Sequence, residues 1–92
     1  WGDDMLVVLT GTLSEDELTR RMAQADALVV MKLGRNLDKV RRALAATGRL
    51  EAAWLIEYAT MPNQTVRRLI EAPSKPAPYF SMIVVHGQGR RP

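Results

Sequence analysis

The 92-residue sequence contains no cysteine and a single histidine, His86. Without thiols the chain forms no disulfide and no thiolate metal site, a composition that fits the cytoplasm. One histidine cannot build a histidine metal site or a catalytic dyad within the chain. The sequence also has no evident nucleophile–base arrangement and no pair of carboxylates at an acid–base spacing. It therefore predicts no catalytic residue and no metal ligand.

Long apolar runs are missing as well. The longest is five residues, as in Ala27–Met31, far below the roughly 20 needed to cross a bilayer. The start of the chain is acidic at Asp3 and Asp4 and has no basic segment followed by an apolar core, as a secretory signal would. We therefore expect a cytoplasmic location and no membrane partner. A strand so close to Trp1 suggests a piece of a longer protein.

Aromatic residues are scarce, at 5% of the chain, and form no RNP-like or helix-turn-helix pattern. Charge is uneven: residues 1–31 hold two basic and six acidic side chains, whereas residues 32–92 hold eleven basic and four acidic ones. A basic half favours nucleic acid, a phosphate or a polycarboxylate as partner, although a solvated basic face fits equally well. The alternative function is thus a small basic α/β module that binds nucleic acid or phosphorylated ligands.

The pattern of apolar residues predicts a small α/β fold: one mixed sheet of about five strands flanked by two helices. The strands are predicted at residues 5–9, 27–31, 52–58, 65–70 and 79–85. Ser14, three residues before Glu17, predicts a capping box and a helix over residues 15–24 that buries Leu18, Met22 and Ala25. Asn36 is the predicted N-cap of a second helix, which Gly48 ends.

The segment from Ala27 to Asn36 is a candidate ligand site. Its first five residues are all apolar, which predicts a central strand buried on both faces. Loops at the carboxyl ends of such strands bind ligands in open α/β sheets. Here the loop is the basic turn Lys-Leu-Gly-Arg at 32–35, which matches neither a P-loop nor a GxGxxG motif. An anion held by Lys32 and Arg35 and a plain turn with exposed charges both fit this pattern.

Four segments of the chain together resemble one enzyme family. They are residues 4–18, 25–44, 56–61 and 78–82. The most specific matches are Val-Met-Lys-Leu-Gly-Arg-Asn at 30–36, Glu-Tyr-Ala-Thr-Met at 57–61 and Tyr-Phe-Ser at 79–81. These segments resemble the C-terminal domain of the precorrin-2 C(20)-methyltransferases, which are tetrapyrrole methylases of cobalamin biosynthesis.

The resemblance implies a function and a set of contacts. Residues 1–92 would be a single C-terminal domain, and S-adenosylmethionine would bind in the cleft between it and an N-terminal domain that carries a Gly-rich loop. Met31, Lys32, Ala59 and Thr60 would contact this cofactor, and Arg35 would meet the carboxylates of the substrate. The substrate would be precorrin-2 or cobalt-factor II, the family implies a homodimer, and the isolated domain is expected to be inactive.

Overall fold

The structure, a computed structural model, describes residues 6–72, 77–78 and 80–87. Its strands and helices in these ranges are β1 (Leu6–Thr10), α1 (Glu15–Gln24), β2 (Ala27–Met31), α2 (Leu37–Ala46), β3 (Ala53–Glu57), β4 (Thr65–Arg68) and β5 (Met82–Val85). Short 3-10 turns lie at Gly34–Asn36, Leu50–Ala52 and Leu69–Glu71. The predicted mixed sheet with two helices is confirmed for this part of the chain.

The strand order of the sheet is β1-β2-β5-β3-β4. β1 and β2 are parallel, and the other neighbouring strands are antiparallel. Ile83 of β5 pairs with Val30 on one side and with Leu55 on the other. Because β5 runs back between β2 and β3, its first residues lie beside the carboxyl ends of both strands. Three segments that are distant in sequence therefore meet at one end of the sheet.

Helix α1 begins and ends where its sequence predicts. The hydroxyl of Ser14 accepts from the N–H of Glu17 at 3.1 Å, and Leu18, Met22 and Ala25 are fully buried. The return bond of the predicted capping box is replaced, because the Glu17 carboxylate accepts from two arginines of the helix instead. Charge-assisted bonds to a guanidinium are stronger than a bond to a neutral N–H.

Helix α2 keeps its predicted ends but not the predicted N-terminal bond. Asn36 stands immediately before the helix, yet its side chain makes no capping hydrogen bond, since a 3-10 turn leads the chain into the helix. At the other end Gly48 adopts φ +73°. Its N–H donates to Ala45 at 3.1 Å and the N–H of Arg49 donates to Leu44 at 2.8 Å. This is a Schellman motif, which satisfies the last carbonyls of the helix.

The prediction that β2 is buried on both faces is wrong. Leu28 and Val30 are fully buried, but Val29 is half-buried and Met31 is 42% exposed. The buried strand residues lie on one face of the sheet, in a single core with the apolar residues of both helices. On the opposite face Val8, the partner of Val29, is 61% exposed. A sheet with one covered face buries alternate positions even where every residue is apolar.

Strand boundaries shift by a few residues from the prediction. β3 stops at Glu57 because Tyr58 adopts φ +55° and leaves the strand. β5 starts at Met82, after Phe80 and Ser81. The predicted strand ends at residues 5 and 79, and most of the proline-rich stretch at 72–78, lie outside the described residues. None of the helices described above is long and apolar enough to span a bilayer.

Candidate functional site

A cavity of about 530 Å³ lies where β2 and β3 end and β5 begins. Its walls come from residues 31–34, 59–60 and 80–82, which are the three segments that the sheet topology brings together. The lining is mainly apolar with a few polar groups. Both the volume and this lining are typical of pockets for small organic ligands, which span roughly 300–1,000 Å³.

All four residues that the resemblance assigns to the cofactor line this cavity. Met31 and Lys32 come from the end of β2, and Ala59 and Thr60 from the loop after β3. The fifth predicted residue, Arg35, does not line it; it is exposed in the 3-10 turn one residue beyond the lining residue Gly34. The structure thus brings four of the five predicted residues to one site, and Arg35 lies at its margin.

Five further lining residues were not among the predicted contact residues: Leu33 and Gly34, which lie in the predicted basic turn, and Phe80, Ser81 and Met82. The last three belong to β5 and the residues before it. The Tyr-Phe-Ser match at 79–81 was the available signal, but neither spacing nor periodicity indicates that β5 lies between β2 and β3. That position depends on pairing between segments that are far apart in sequence.

The apolar surface of the cavity includes two thioethers and a phenyl ring. The register of Val30 opposite Ile83 sets Met31 and Met82 side by side on the same face of the sheet. Phe80, which is 54% exposed, lies next to them on the third wall. Thioethers and aromatic rings make favourable contacts with the edges and faces of flat ring systems. The cavity can therefore accept a heteroaromatic ring.

The cavity wall formed by residues 80–82 contains a buried polar side chain, that of Ser81. Ser81 is 5% exposed, and within the described part of the chain its Oγ has no hydrogen-bond partner. A buried hydroxyl without a partner is unfavourable, so such atoms are rare and mark sites where a ligand or water supplies the missing bond.

Backbone strain is concentrated at the same end of the sheet. The structure has left-handed φ values at three non-glycine residues of its described ranges: Lys32 at +56°, Tyr58 at +55° and Thr60 at +65°. Lys32 and Thr60 line the cavity, and Tyr58 is one residue from it. Threonine is β-branched, so this conformation is particularly unfavourable for it. Strain that persists in a folded chain is most often found at functional sites.

The charges around the cavity are basic. Lys32 and Arg35 are exposed, and neither forms an ion pair with any other described residue. The nearby Glu57 accepts from Thr65 Oγ1 at 3.0 Å and from Arg67 at 2.9 Å, so its carboxylate is already engaged. Across the described ranges no three His, Cys, Asp or Glu side chains come together as a metal site would require. The electrostatics favour an anionic group at the Lys32 margin.

Sequence comparison identifies relatives of the chain. The family model of the Tetrapyrrole (Corrin/Porphyrin) Methylases matches residues 1–72. A precorrin-2 C(20)-methyltransferase of Sinorhizobium sp. is 53% identical over 91 residues, which are 99% of this chain and 37% of that protein. The cobalamin biosynthesis protein CobIJ of Mycobacterium tuberculosis is 47% identical over 98% of this chain and 18% of its own length. A cobalt-precorrin-2 C(20)-methyltransferase of Salmonella typhimurium is 38% identical over 90% of this chain and 36% of that protein.

Solved structures show the same fold. CobJ matches with a TM-score of 0.61 at 17% identity, over 99% of this chain and 44% of that one. Uroporphyrin-III C-methyl transferase of Thermus thermophilus, solved with S-adenyl homocysteine, matches with a TM-score of 0.59 at 18% identity, over 87% of this chain and 41% of that one. The chain therefore spans well under half the length of the proteins that it matches. From the family match over residues 1–72, the chain belongs to the tetrapyrrole (corrin/porphyrin) methylases.

Proposed function

We propose that this chain is part of an S-adenosylmethionine-dependent methyltransferase that methylates precorrin-2 at C(20) in cobalamin biosynthesis. The main structural support for this proposal is the cavity at the end of the sheet, which is lined by Met31, Lys32, Ala59 and Thr60. The relatives support the substrate. Identity is 53% to the precorrin-2 enzyme of Sinorhizobium sp. but 38% to the cobalt-precorrin-2 enzyme of Salmonella typhimurium, which favours metal-free precorrin-2 over the cobalt form.

The residues of the cavity fit S-adenosylmethionine. Met31, Met82 and Phe80 offer an apolar, polarizable surface for the adenine ring. The buried Oγ of Ser81 lacks a partner among the described residues, and a rotation of this side chain in the cavity wall would bring it to a polar atom of the nucleoside. Lys32 offers a cation for the carboxylate of the methionine part. The residues present thus match the adenine ring, a polar atom of the nucleoside and the carboxylate of the cofactor.

When bound, the cofactor supplies an electrophilic methyl group on a sulfonium. The residues of this chain then have to bind and orient it, and they have to keep water from the reacting groups. No side chain of the cavity has to act as a nucleophile, which agrees with a sequence that has no nucleophile–base pair. Arg35 at the margin is suited to hold a carboxylate of a tetrapyrrole with its reacting carbon toward the methyl group.

The cavity is open, and we propose that the complete site needs more protein than this chain. In this proposal residues 1–92 are the C-terminal domain, the Gly-rich cofactor loop is on an N-terminal domain, and the isolated chain is inactive. The full-length enzyme would act in the cytoplasm as a homodimer. The proposal is supported by the 37% share of the Sinorhizobium relative that the chain covers.

The test uses the protein at its full encoded length. Calorimetric titration with S-adenosylhomocysteine measures cofactor binding, and incubation with S-adenosylmethionine and either precorrin-2 or cobalt-factor II measures methyl transfer. Met31→Ala is expected to weaken binding by roughly threefold to tenfold through lost thioether contacts. Ile70→Ala is the matched control, because Ile70 is similarly exposed, at 43% against 42%, and does not line the cavity.

The outcomes separate the alternatives. Transfer of one methyl group to precorrin-2, with weaker binding for Met31→Ala and unchanged binding for Ile70→Ala, supports the proposal. Transfer to cobalt-factor II alone would correct the substrate. No binding of S-adenosylhomocysteine together with salt-dependent binding of generic DNA would overturn the proposal and favour a nucleic-acid function.

A further inference from the structure

We infer that Gln64 is a positioning residue for the nucleoside cofactor: its side-chain oxygen holds the turn at residues 58–61 in the shape that forms one wall of the cavity. The inference rests on the proposed function, because it takes S-adenosylmethionine as the ligand of that cavity. Gln64 itself does not line the cavity and acts through Ala59 and Thr60, which do.

The turn has an unfavourable backbone conformation. The N–H of Met61 donates to the carbonyl of Tyr58 at 2.9 Å, which closes a β-turn with Ala59 and Thr60 at its centre. Thr60 adopts φ +65°, in the left-handed region that a type II turn requires at its third residue and that glycine normally occupies. A threonine there strains the turn, so the turn needs outside contacts to keep its shape.

Gln64 supplies such a contact. The N–H of Thr60 donates to Oε1 of Gln64 at 2.7 Å. Gln64 is in turn anchored, because its own N–H donates to the carbonyl of Met61 at 3.0 Å and the next residue begins β4. The bond therefore ties the strained residue of the turn to the edge of the sheet. Gln64 is exposed, so its side chain contributes little to the core.

This arrangement also determines what the wall offers to a ligand. The N–H groups of Ala59, Thr60 and Met61 donate to Phe80, Gln64 and Tyr58 in that order. With these three N–H groups engaged, residues 59–61 keep no free backbone N–H to donate to a ligand. Loss of the Gln64 bond would release the N–H of Thr60 and allow the turn to relax. Both the position and the polarity of the wall would then change.

Variants of Gln64 in the full-length protein test the inference. Gln64→Met removes the acceptor oxygen at nearly the same length, whereas Gln64→Glu keeps an acceptor. We expect Gln64→Met to bind S-adenosylhomocysteine about three to ten times more weakly, the effect of one lost hydrogen bond. Gln64→Glu should stay close to the wild type. The adjacent amide offers the control Asn63→Ala, since Asn63 is exposed and forms no hydrogen bond with the described residues.

Two readouts distinguish positioning from general stability and from failure of the proposed function. Amide exchange of Thr60, measured by NMR without ligand, should accelerate in Gln64→Met and not in Gln64→Glu or Asn63→Ala. KM for S-adenosylmethionine should rise in Gln64→Met, while KM for the tetrapyrrole stays the same. Equal exchange or equal affinity in Gln64→Met and wild type would overturn the inference.

If wild-type protein binds no S-adenosylhomocysteine, the proposed function fails, and so does the cofactor role of Gln64. The exchange data still decide in that case whether Gln64 holds the turn.

Discussion

The N–H of Gly11 donates to the carbonyl of Met31 at 2.7 Å, so the residue after β1 is bonded to the last residue of β2. Gly11 is buried, and the loop that carries Lys32 passes directly over it. A Cβ added at Gly11 would lie 2.7 Å from the carbonyl oxygen of Lys32 and 3.2 Å from Cβ of Asn36. The absence of a side chain at Gly11 therefore sets how closely the cavity-lining loop approaches β1.

Gly11→Ala should displace this loop. The nearest atom is backbone and cannot move aside as a side-chain end would, so we expect the free energy of unfolding to fall by about 1–3 kcal/mol, as for other overpacked sites. Binding of S-adenosylhomocysteine should weaken as well, because Met31 and Lys32 move with the loop. Chemical denaturation measures the first effect and calorimetric titration the second.

Gly48→Ala is the control for that change. It has a left-handed φ of +73°, but an added Cβ would meet no atom of the described residues within 4 Å apart from those of Gly48 and its two chain neighbours. It should lose about 1 kcal/mol from backbone strain and leave ligand binding unchanged. If Gly11→Ala were as stable as wild type and bound the ligand equally well, the close approach of the loop would have no consequence for the site.

Ser81→Ala should weaken ligand binding without lowering the stability of the protein. Removing a buried hydroxyl that has no partner among the described residues should leave the free energy of unfolding unchanged or raise it by up to about 1 kcal/mol. If the bound nucleoside satisfies that hydroxyl, S-adenosylhomocysteine should bind several-fold more weakly to the variant. Thermal unfolding of the ligand-free protein and titration of the same sample provide the two measurements. A clear loss of stability would instead mean that Ser81 supports the fold.

Local signals in the sequence predicted the helices well. Ser14, Glu17 and the spacing of Leu18 and Met22 gave both ends of α1, because a cap and a helical period are determined by residues within a few positions of each other. The left-handed turn at Gly48 was predictable for the same reason. The capping hydrogen bonds were less predictable. The carboxylate of Glu17 could accept from the N–H of Ser14 or from two arginines of the helix, and the sequence does not show which of these it prefers.

Non-local features explain what the sequence could not predict. An all-apolar β2 predicts burial on both faces, but whether a second layer covers the sheet depends on the rest of the protein. Met82 and Ser81 lie in the cavity only because β5 pairs between β2 and β3. The left-handed conformations of Lys32 and Thr60 have no sequence signal, since neither residue favours them. The resemblance, and not periodicity, predicted Met31, Lys32, Ala59 and Thr60 as contact residues, and all four line the cavity.

Thr60→Gly tests whether strain in the turn serves the site. Glycine removes the cost of φ +65°, about 1–2 kcal/mol, but adds about 0.5–1 kcal/mol of backbone entropy to the unfolded chain. We therefore expect a free energy of unfolding equal to that of the wild type or up to about 1 kcal/mol higher, together with weaker binding of S-adenosylhomocysteine. Denaturation and titration give the two values.

Thr65→Gly is the matched comparison for Thr60→Gly. Thr65 is an exposed threonine in β4 with strand geometry, so glycine there relieves no strain and also removes the bond to Glu57. It should lower stability by at least about 0.5 kcal/mol. Equal losses of stability in the two variants would show that Thr60 is not strained. If Thr60→Gly bound S-adenosylhomocysteine with wild-type affinity, the conformation of the turn would have no role in binding.

Glu17→Gln should lower stability in a pH-dependent way. Hydrogen bonds from Arg20 and from Arg21, the latter at 2.6 Å, lower the pKa of the Glu17 carboxyl from 4.5 to about 2. A depressed pKa in the folded state means that the unfolded chain binds the proton more tightly. The ion pairs therefore contribute fully above the unfolded pKa, and their contribution is lost as the pH falls from 4.5 toward 2.

The stability difference between wild type and Glu17→Gln should consequently be present at neutral pH and shrink between those two pH values. It should also shrink at high salt, because both arginines are solvent-exposed. Asp16→Asn is the control, since Asp16 lies in the same helical turn without an ion pair among the described residues. Urea denaturation over this pH range measures the effect. A difference that stays constant from neutral pH down to the folded pKa would show that the arginines do not hold the carboxylate, and that Glu17 acts only through the backbone at the helix start.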